Sequence, residues 1–143
     1  MSHHTVLLDE FATFLAAHDV AEYQADGFYP KDVRGITVAG FPETPADVVA
    51  LSLTMPEYTR LAGGGRRLTA SHIQIRTRLH GSPLATVDLL DQLTYLIDRK
   101  RLTLGPLRAN GAFRSATAVL PTSGDGWVQS SNWTLTALEG LPT

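Results

Sequence analysis

The stretch SHIQIRTRLHG, residues 71–81, decides the fold because its apolar and polar residues alternate almost without error. A period of two predicts a β-strand that turns one face toward the core and the other face away from it. The apolar row consists of Ile73, Ile75, Thr77 and Leu79, and the polar row consists of His72, Gln74, Arg76, Arg78 and His80. The polar row is compatible with three roles: a solvated surface, a catalytic set, or a surface that meets another molecule.

A helix is predicted directly after this strand. Ser82 is placed to cap the first amides of the helix, and Pro83 occupies a position where its missing N–H costs nothing. The helix covers residues 83–100, with an apolar stripe formed by Val87, Leu89, Leu90, Leu93, Leu96 and Ile97. Apolar residues at three- and four-residue steps also predict an earlier helix over residues 5–19.

The remaining segments combine β-branched residues with turn signals. Predicted strands cover residues 35–41, 47–54, 111–121 and 127–138. The first two strands form a short hairpin or an adjacent pair, and residues 21–35 before them predict a surface connection. Gly105 and Pro106 interrupt a short strand, while Asp125 and Gly126 mark a hairpin turn between the last two strands.

This order of elements predicts one α+β domain over residues 1–143, in which a mostly antiparallel β-sheet packs against two main α-helices. The hydrophobic content of 43% supplies the apolar residues that such a core needs. The sequence contains no run of about 18 apolar residues, no secretory signal pattern and no cysteine. We therefore expect a cytoplasmic protein without membrane helices, disulfides or thiolate metal sites.

Charge is distributed unevenly along the chain. Residues 1–59 hold nine acidic residues against two basic ones, whereas residues 60–143 hold ten basic residues against five acidic ones. Such a separation either cancels within the fold or leaves one acidic and one basic surface that meet head to tail in an assembly. Both outcomes stay open at the level of the sequence.

Histidines and carboxylates do not form a catalytic or metal-binding pattern. His72 and His80 share a strand face but lie roughly 26 Å apart at about 3.3 Å per residue, too far apart to share one metal or one substrate atom. His18 falls on the apolar side or edge of the first helix, where we expect a core histidine. Asp88 and Asp91 fit a solvated face of the second helix. The serines lack the setting of a catalytic triad. The sequence thus predicts no enzyme, no cofactor and no metal site.

The middle of the chain is basic. Residues 60–114 hold ten basic residues against three acidic ones, which is typical of proteins that bind a phosphate backbone. The formal net charge of the chain is −2, however, and no aromatic residues interleave with these arginines for base stacking. The glycines at residues 63–65 lack the GK[ST] ending and the following helix of a P-loop, and predict a flexible loop. A small nucleic-acid-binding or host-interacting module stays as an alternative.

Three stretches together carry a family resemblance. They are ALSLTMPEYTR at residues 50–60, HIQIRTRLHGSPLATVDLLDQLTYLID at residues 72–98 and FRSATAVLPTSGDGWVQSSNWTLTAL at residues 113–138. An alternating strand, a leucine-rich helix and a closing hairpin follow one another in these stretches. In this order they resemble the small minor capsid or tail terminator proteins encoded in the head-to-tail gene cluster of tailed bacteriophages and prophages.

The resemblance implies a tail-terminator-like α+β subunit that assembles into a ring, with six copies expected, caps the tail tube and docks to the head connector. The implied partners are further copies of the chain, the phage tail tube protein, a head completion or connector protein, and DNA that passes through the ring channel, with no membrane. The implied location is the neck of the virion, after assembly in the host cytoplasm. The family has no catalysis and no cofactor to carry over. A head-closure or other connector protein is the nearest alternative in the same class.

A ring requires contacts in which one face of a subunit meets a different face of the next subunit. Gln74, Arg76 and Arg78 are then candidates for the interface between subunits or for the channel lining. The glycine loop together with Arg66 and Arg67 is a candidate for a flexible arm that orders on docking. A solvated polar sheet face is the alternative interpretation of these residues.

Overall fold

Two α-helices pack against a β-sheet in the computed structural model, which describes residues 2–54, 57–60, 66–122 and 124–140. The helices are α1 (His3–Ala17) and α2 (Pro83–Ile97). The strands are β1 (Glu22–Tyr23), β2 (Gly35–Val38), β3 (Val48–Leu53), β4 (Glu57–Arg60), β5 (Arg66–His80), β6 (Arg101–Leu104), β7 (Leu107–Ala116), β8 (Leu120–Pro121) and β9 (Gly126–Gly140). The predicted α+β class is confirmed.

The strands form one sheet in the order β1-β2-β3-β5-β9-β7-β6, with β4 also paired to β5 and β8 to β9. Its centre is the long antiparallel pair of β5 and β9, and the sheet is mostly antiparallel, as predicted. The exceptions are β1–β2 and β2–β3, which are parallel. Of the two predictions for β2 and β3, the adjacent pair is therefore confirmed and the hairpin is wrong. Residues 39–47 return the chain to the end of the sheet at which β2 begins.

The alternation that decides the fold is present in β5. Ile73, Ile75 and Leu79 are at most 1% exposed and belong to the core between the sheet and the helices. Ile73 lies opposite Trp133 of β9, the largest fully buried side chain. Burial of apolar surface stabilises the fold by about 25 cal/mol per Å², so these central strands supply much of its stability.

Helix α2 begins as predicted, because Ser82 Oγ accepts a hydrogen bond from the amide of Leu84 at 3.1 Å and Pro83 is the first helical residue. It ends at Ile97, earlier than predicted, since Arg99 takes a left-handed φ of 57° that a helix cannot continue. The prediction of Val87 in the apolar stripe is wrong: Val87 is 40% exposed. The helix instead buries Thr86 on the face that carries Leu89, Leu93 and Ile97.

The sheet curls around the first helix. Helix α1 packs against β1, β2 and β3 near one edge of the sheet and against β6 at the other edge. Helix α2 packs against the central strands β5, β9 and β7. The approach of α2 to β7 requires glycine at position 111, where a Cβ atom would lie 2.3 Å from the carbonyl oxygen of Ile97. Helix α1 thus separates the two edges of the sheet.

Two connections differ from their predictions. Residues 21–35, predicted as a surface connection, contain β1 and the buried Tyr29. The hydroxyl of Tyr29 donates to the carbonyl oxygen of Ile36. This polar segment packs against the sheet because Tyr23 and Tyr29 give it apolar surface. Gly105 and Pro106 do not interrupt one strand but form the tight turn of the β6–β7 hairpin, which the left-handed φ of Gly105 (57°) permits.

Candidate functional site

Arg78 lies on the sheet face that points away from the helices, here called the polar face. Its guanidinium donates from Nε to the carbonyl oxygen of Ala46 at 3.0 Å and from Nη2 to that of Pro45 at 2.9 Å, and also to that of Pro42. A hydrogen bond from a charged donor contributes about 1.5–3 kcal/mol. Arg78 therefore holds the β2–β3 connection, residues 39–47, against the polar face.

Arg76 supports the same connection from the next position along this face. Its Nη2 donates to the carbonyl oxygen of Ala39 at 2.9 Å. The ring of Phe41 lies below both guanidinium groups, with its centroid 4.8 Å from that of Arg76 and 5.1 Å from that of Arg78. Under this cover two β3 residues of the polar face are fully buried, Val48 and Ala50. The predicted interface residues Arg76 and Arg78 thus have intramolecular partners.

The rest of the polar row makes contacts across three strands. His72 Nδ1 lies 3.0 Å from Thr134 Oγ1 of β9, and Arg114 Nε of β7 donates to the same oxygen at 2.9 Å. Gln74, a predicted interface residue, is partly exposed and lies opposite Asn132 of β9. These side chains form one continuous polar surface on β5, β9 and β7.

The polar face is basic from the centre of the sheet to its β6 edge. The described side chains of β5, β9, β7 and β6 include no carboxylate. Neutral carbonyl groups are the partners of Arg76 and Arg78, so the positive charges of these arginines remain. The arginines on this face whose side chains the structure describes are Arg76, Arg78, Arg101, Arg108 and Arg114.

The remaining interface predictions fall at the start of β5. The backbone of Arg66 and Arg67 belongs to this strand, where it pairs with Gly140 and Glu139 of β9. The side chains of both arginines and the glycines at residues 63–65 lie outside the described residues. The proposed flexible arm therefore stays a prediction.

The histidine and carboxylate side chains with catalytic or metal-binding chemistry do not share a site in the described residues. The prediction of a core histidine at position 18 is wrong: α1 ends at Ala17, and His18 is exposed with its Nδ1 2.9 Å from the carbonyl oxygen of Phe14. His80 pairs with Asp47 at 3.2 Å. Within the described ranges, no three histidine or carboxylate side chains converge to hold a metal ion. The predicted solvated carboxylates of α2 are exposed, namely Asp88 and Asp91.

An open groove of about 630 Å³ lies beside β1. Its charged lining residues are Asp19, Glu22, Asp32, Arg34 and Asp47. Arg34 is turned inward, where its Nη1 donates to the carbonyl oxygen of Val20 at 3.1 Å. The carboxylates outnumber this single cation, so the groove attracts positive charge.

A tyrosine at the side of this groove bonds to α1. The hydroxyl of Tyr23 donates to Asp9 Oδ1 at 2.7 Å. Burial, this hydrogen bond and the negative charge of Asp9 raise the pKa of Tyr23 to about 12. The phenol therefore remains a neutral donor at physiological pH and joins β1 to α1.

The two edges of the sheet carry opposite charges. We define the acidic edge as Asp19, Glu22 and Asp32, and the basic edge as Arg99, Lys100, Arg101 and Arg108. All seven side chains are exposed, and none forms an ion pair within the described residues. Helix α1 lies between the edges, and its diameter of about 10–12 Å exceeds the Debye length of about 8 Å at physiological salt. Within the described residues, the charges of the two edges are thus not cancelled by ion pairs.

The sequence did not identify these two edges as sites, because each collects residues from segments that are distant along the chain. The uneven charge distribution was the signal for them.

No family model and no curated protein sequence matches the chain. Neither α1 nor α2, the helices of the described residues, is long and apolar enough to cross a membrane.

Proposed function

We propose that this protein is a structural subunit of a phage virion, a tail terminator that forms a ring on the end of the tail tube and docks to the head connector. The observation that carries the proposal is the pair of oppositely charged edges on one subunit. Unlike patches on one chain favour a heterologous contact between copies, and such contacts generate closed rings when the rotation closes.

The chemistry of the described side chains agrees with a binding role. Within the described residues no three histidine or carboxylate side chains converge on one point. Asp88 and Asp91 of α2 face solvent, and His72, Arg76 and Arg78 of the polar row interact with hydroxyl or carbonyl oxygens. A surface that assembles needs complementary charge, and unlike charges are present at the two edges of the sheet. The basic polar face suits a ring through which DNA passes, since arginines interact with phosphates without reading sequence.

The same basic face favours a second candidate function, a small nucleic-acid-binding module. Five arginines, with no carboxylate among the described side chains of β5, β9, β7 and β6, form an electrostatic surface that a phosphate backbone prefers. This alternative requires binding by the isolated monomer. The ring proposal requires association of the chain with itself or with a tail tube.

Native mass spectrometry and light scattering over a series of protein and salt concentrations test the proposal, with fluorescence anisotropy of a labelled DNA duplex measured in parallel. We expect one discrete oligomer that salt weakens, or a monomer that closes into a ring when tail tubes are added. A monomer under all conditions, with or without tubes, that binds DNA in a salt-sensitive manner would contradict the proposal and support the nucleic-acid module.

The gene neighbourhood provides an independent test. For a tail terminator we expect a gene for a major tail protein immediately downstream, within a cluster of head and tail genes. Co-expression with that tail protein, followed by electron microscopy, should give tubes that are capped and uniform in length. Tubes whose ends stay bare and whose lengths vary would argue against the assignment.

A further inference from the structure

Both terminal strands of the sheet have an unpaired side. β6 pairs with β7 alone among the described strands. At the other end, β1 pairs only with Gly35 and Ile36 of β2, which leaves Thr37 and Val38 without a strand partner on that side. Unpaired strand edges present backbone donors and acceptors to other chains. The sheet is therefore open to extension at the same two places where its charges are concentrated.

Exposed apolar side chains, among them one aromatic ring at each edge, accompany both charged edges. Phe28, in the connection between β1 and β2, is 81% exposed, and Val38 of β2 is 50% exposed. Beside the basic edge, Tyr95 of α2 is 75% exposed and lies under the ammonium group of Lys100, 5.2 Å from the ring centroid. Aromatic residues surrounded by polar groups are typical anchors of protein interfaces.

We propose that the basic edge of one copy docks against the acidic edge of the next copy, so that β6 lies alongside the open side of β2. This inference rests on the proposed ring and names the surfaces that form it. The occupant is a second copy because one chain supplies both halves of a complementary pair. The edge charges form no ion pair within the described residues of one copy, and contact between the edges of two copies neutralises them. The same contact covers both open sides of the sheet.

Carbodiimide cross-linking tests the contact directly, because this reagent joins an amine to a neighbouring carboxylate. The chain contains only two lysines, Lys31 beside the acidic edge and Lys100 in the basic edge. Mass spectrometry of a mixture of ordinary and ¹⁵N-labelled protein identifies links between different copies. We expect links from Lys100 of one copy to Asp19, Glu22 or Asp32 of another. The control Lys100→Arg keeps the charge, and should keep the assembly while losing these links.

Charge exchange provides the second test. Arg101→Glu with Arg108→Glu gives a chain with two acidic edges, and Asp19→Lys with Asp32→Lys gives a chain with two basic edges. Each variant alone should associate about tenfold more weakly than the parent, or worse, in sedimentation velocity. An equimolar mixture should recover the parental affinity because each edge again meets its opposite. The matched control Asp88→Lys with Asp91→Lys changes exposed carboxylates outside both edges and should leave association unchanged.

The two proposals fail in different ways. Oligomers that persist in both variants, or links between copies that avoid Lys100, would overturn the edge contact and leave the ring intact. An absence of Lys100 links at the highest soluble concentration and low salt would also overturn the edge contact. The ring itself fails if the chain neither self-associates nor caps tail tubes. Circular dichroism of each variant confirms that the fold is retained.

Discussion

At the scale of single residues, the alternation of polar and apolar residues predicts which face a side chain lies on, but it does not predict the groups that the side chain contacts. The alternation around Arg78 correctly places this residue on the face away from the core. Its partners are the carbonyl groups of Pro42, Pro45 and Ala46, more than thirty positions earlier in the chain. Arg78 therefore stabilises the fold whether or not it also contacts a neighbouring subunit.

We expect Arg78→Ala to lower the free energy of unfolding by about 2–3 kcal/mol, because three carbonyl groups lose a charged donor. Urea denaturation monitored by tryptophan fluorescence measures the change. Arg108→Ala is the control, since this exposed guanidinium makes one hydrogen bond, to Thr103 at 2.9 Å, and its loss should cost less than about 0.5 kcal/mol. Equal unfolding midpoints for Arg78→Ala and the parent would show that Arg78 does not anchor the connection.

Tyr23 yields a prediction in alkaline solution. Because its pKa is raised to about 12 in the folded protein, Tyr23 keeps its proton where an unfolded tyrosine, with a pKa of 10.0, loses it. Its contribution to stability is complete below pH 10 and declines as the pH rises from about 10 to about 12. Ultraviolet titration should show a phenol that ionises near pH 12, and this ionisation should be absent in Tyr23→Phe.

Asp9→Asn separates the causes of this shift. The variant removes the negative charge that opposes the phenolate, so Tyr23 should ionise at a lower pH than in the parent while burial still holds its pKa above 10.0. Asp91→Asn, an exposed carboxylate on α2, should leave the titration unchanged. An unaltered Tyr23 titration in Asp9→Asn would contradict the assigned role of the carboxylate.

At the scale of elements, periodicity predicted what depends on local sequence. The alternation in β5, the Ser82 cap and the leucine stripe placed the central strand and α2, and the class of fold followed. The pairing direction of β2 and β3 was not predictable in the same way, because strands of this composition occur in both parallel and antiparallel pairs. The exposed Val87 and the buried Thr86 show a similar limit of prediction from periodicity. The apolar residues of α2 fit two neighbouring helix faces almost equally well, so their spacing does not specify which residue at the boundary is buried.

The candidate site was predictable only in part, for a related reason. Segment counts indicated an excess of acid in the first part and of base in the second. They did not indicate where the charges lie, because the strand order places β1 and β6 at opposite edges and α1 between them. Strand order is a property of long-range pairing, and the local patterns of one sequence do not specify it.

The packing of α2 on β7 gives the prediction at this scale. Gly111→Ala places a methyl group 2.3 Å from the Ile97 carbonyl oxygen, so helix and strand must separate. We expect a loss of about 3 kcal/mol in the free energy of unfolding. Gly40→Ala is the matched control, because a Cβ atom there meets nothing within 4 Å, and its effect should stay within about 0.5 kcal/mol. Equal stabilities of the two variants would contradict the close approach.

At the scale of the whole molecule, the curled sheet combines a closely packed interior with two unlike edges. One face of the sheet is closed by the helices, and part of the other face is closed by the β2–β3 connection that Arg76 and Arg78 hold. The edges on either side of α1 are left with charge, open strand sides and exposed aromatic residues. The contacts that stabilise the interior and the charged edges are therefore separate in space.

This separation predicts that exposed apolar residues at an edge affect association without affecting the fold. Phe28 is 81% exposed, so Phe28→Ser should leave the free energy of unfolding within about 0.5 kcal/mol of that of the parent, yet weaken association about tenfold by removing an exposed aromatic side chain. Leu84→Ser, in the first turn of α2 and 67% exposed, should change neither quantity. Sedimentation velocity and urea denaturation measure the two effects. Association that depends on Leu84 and is indifferent to Phe28 would move the contact from the acidic edge to the start of α2.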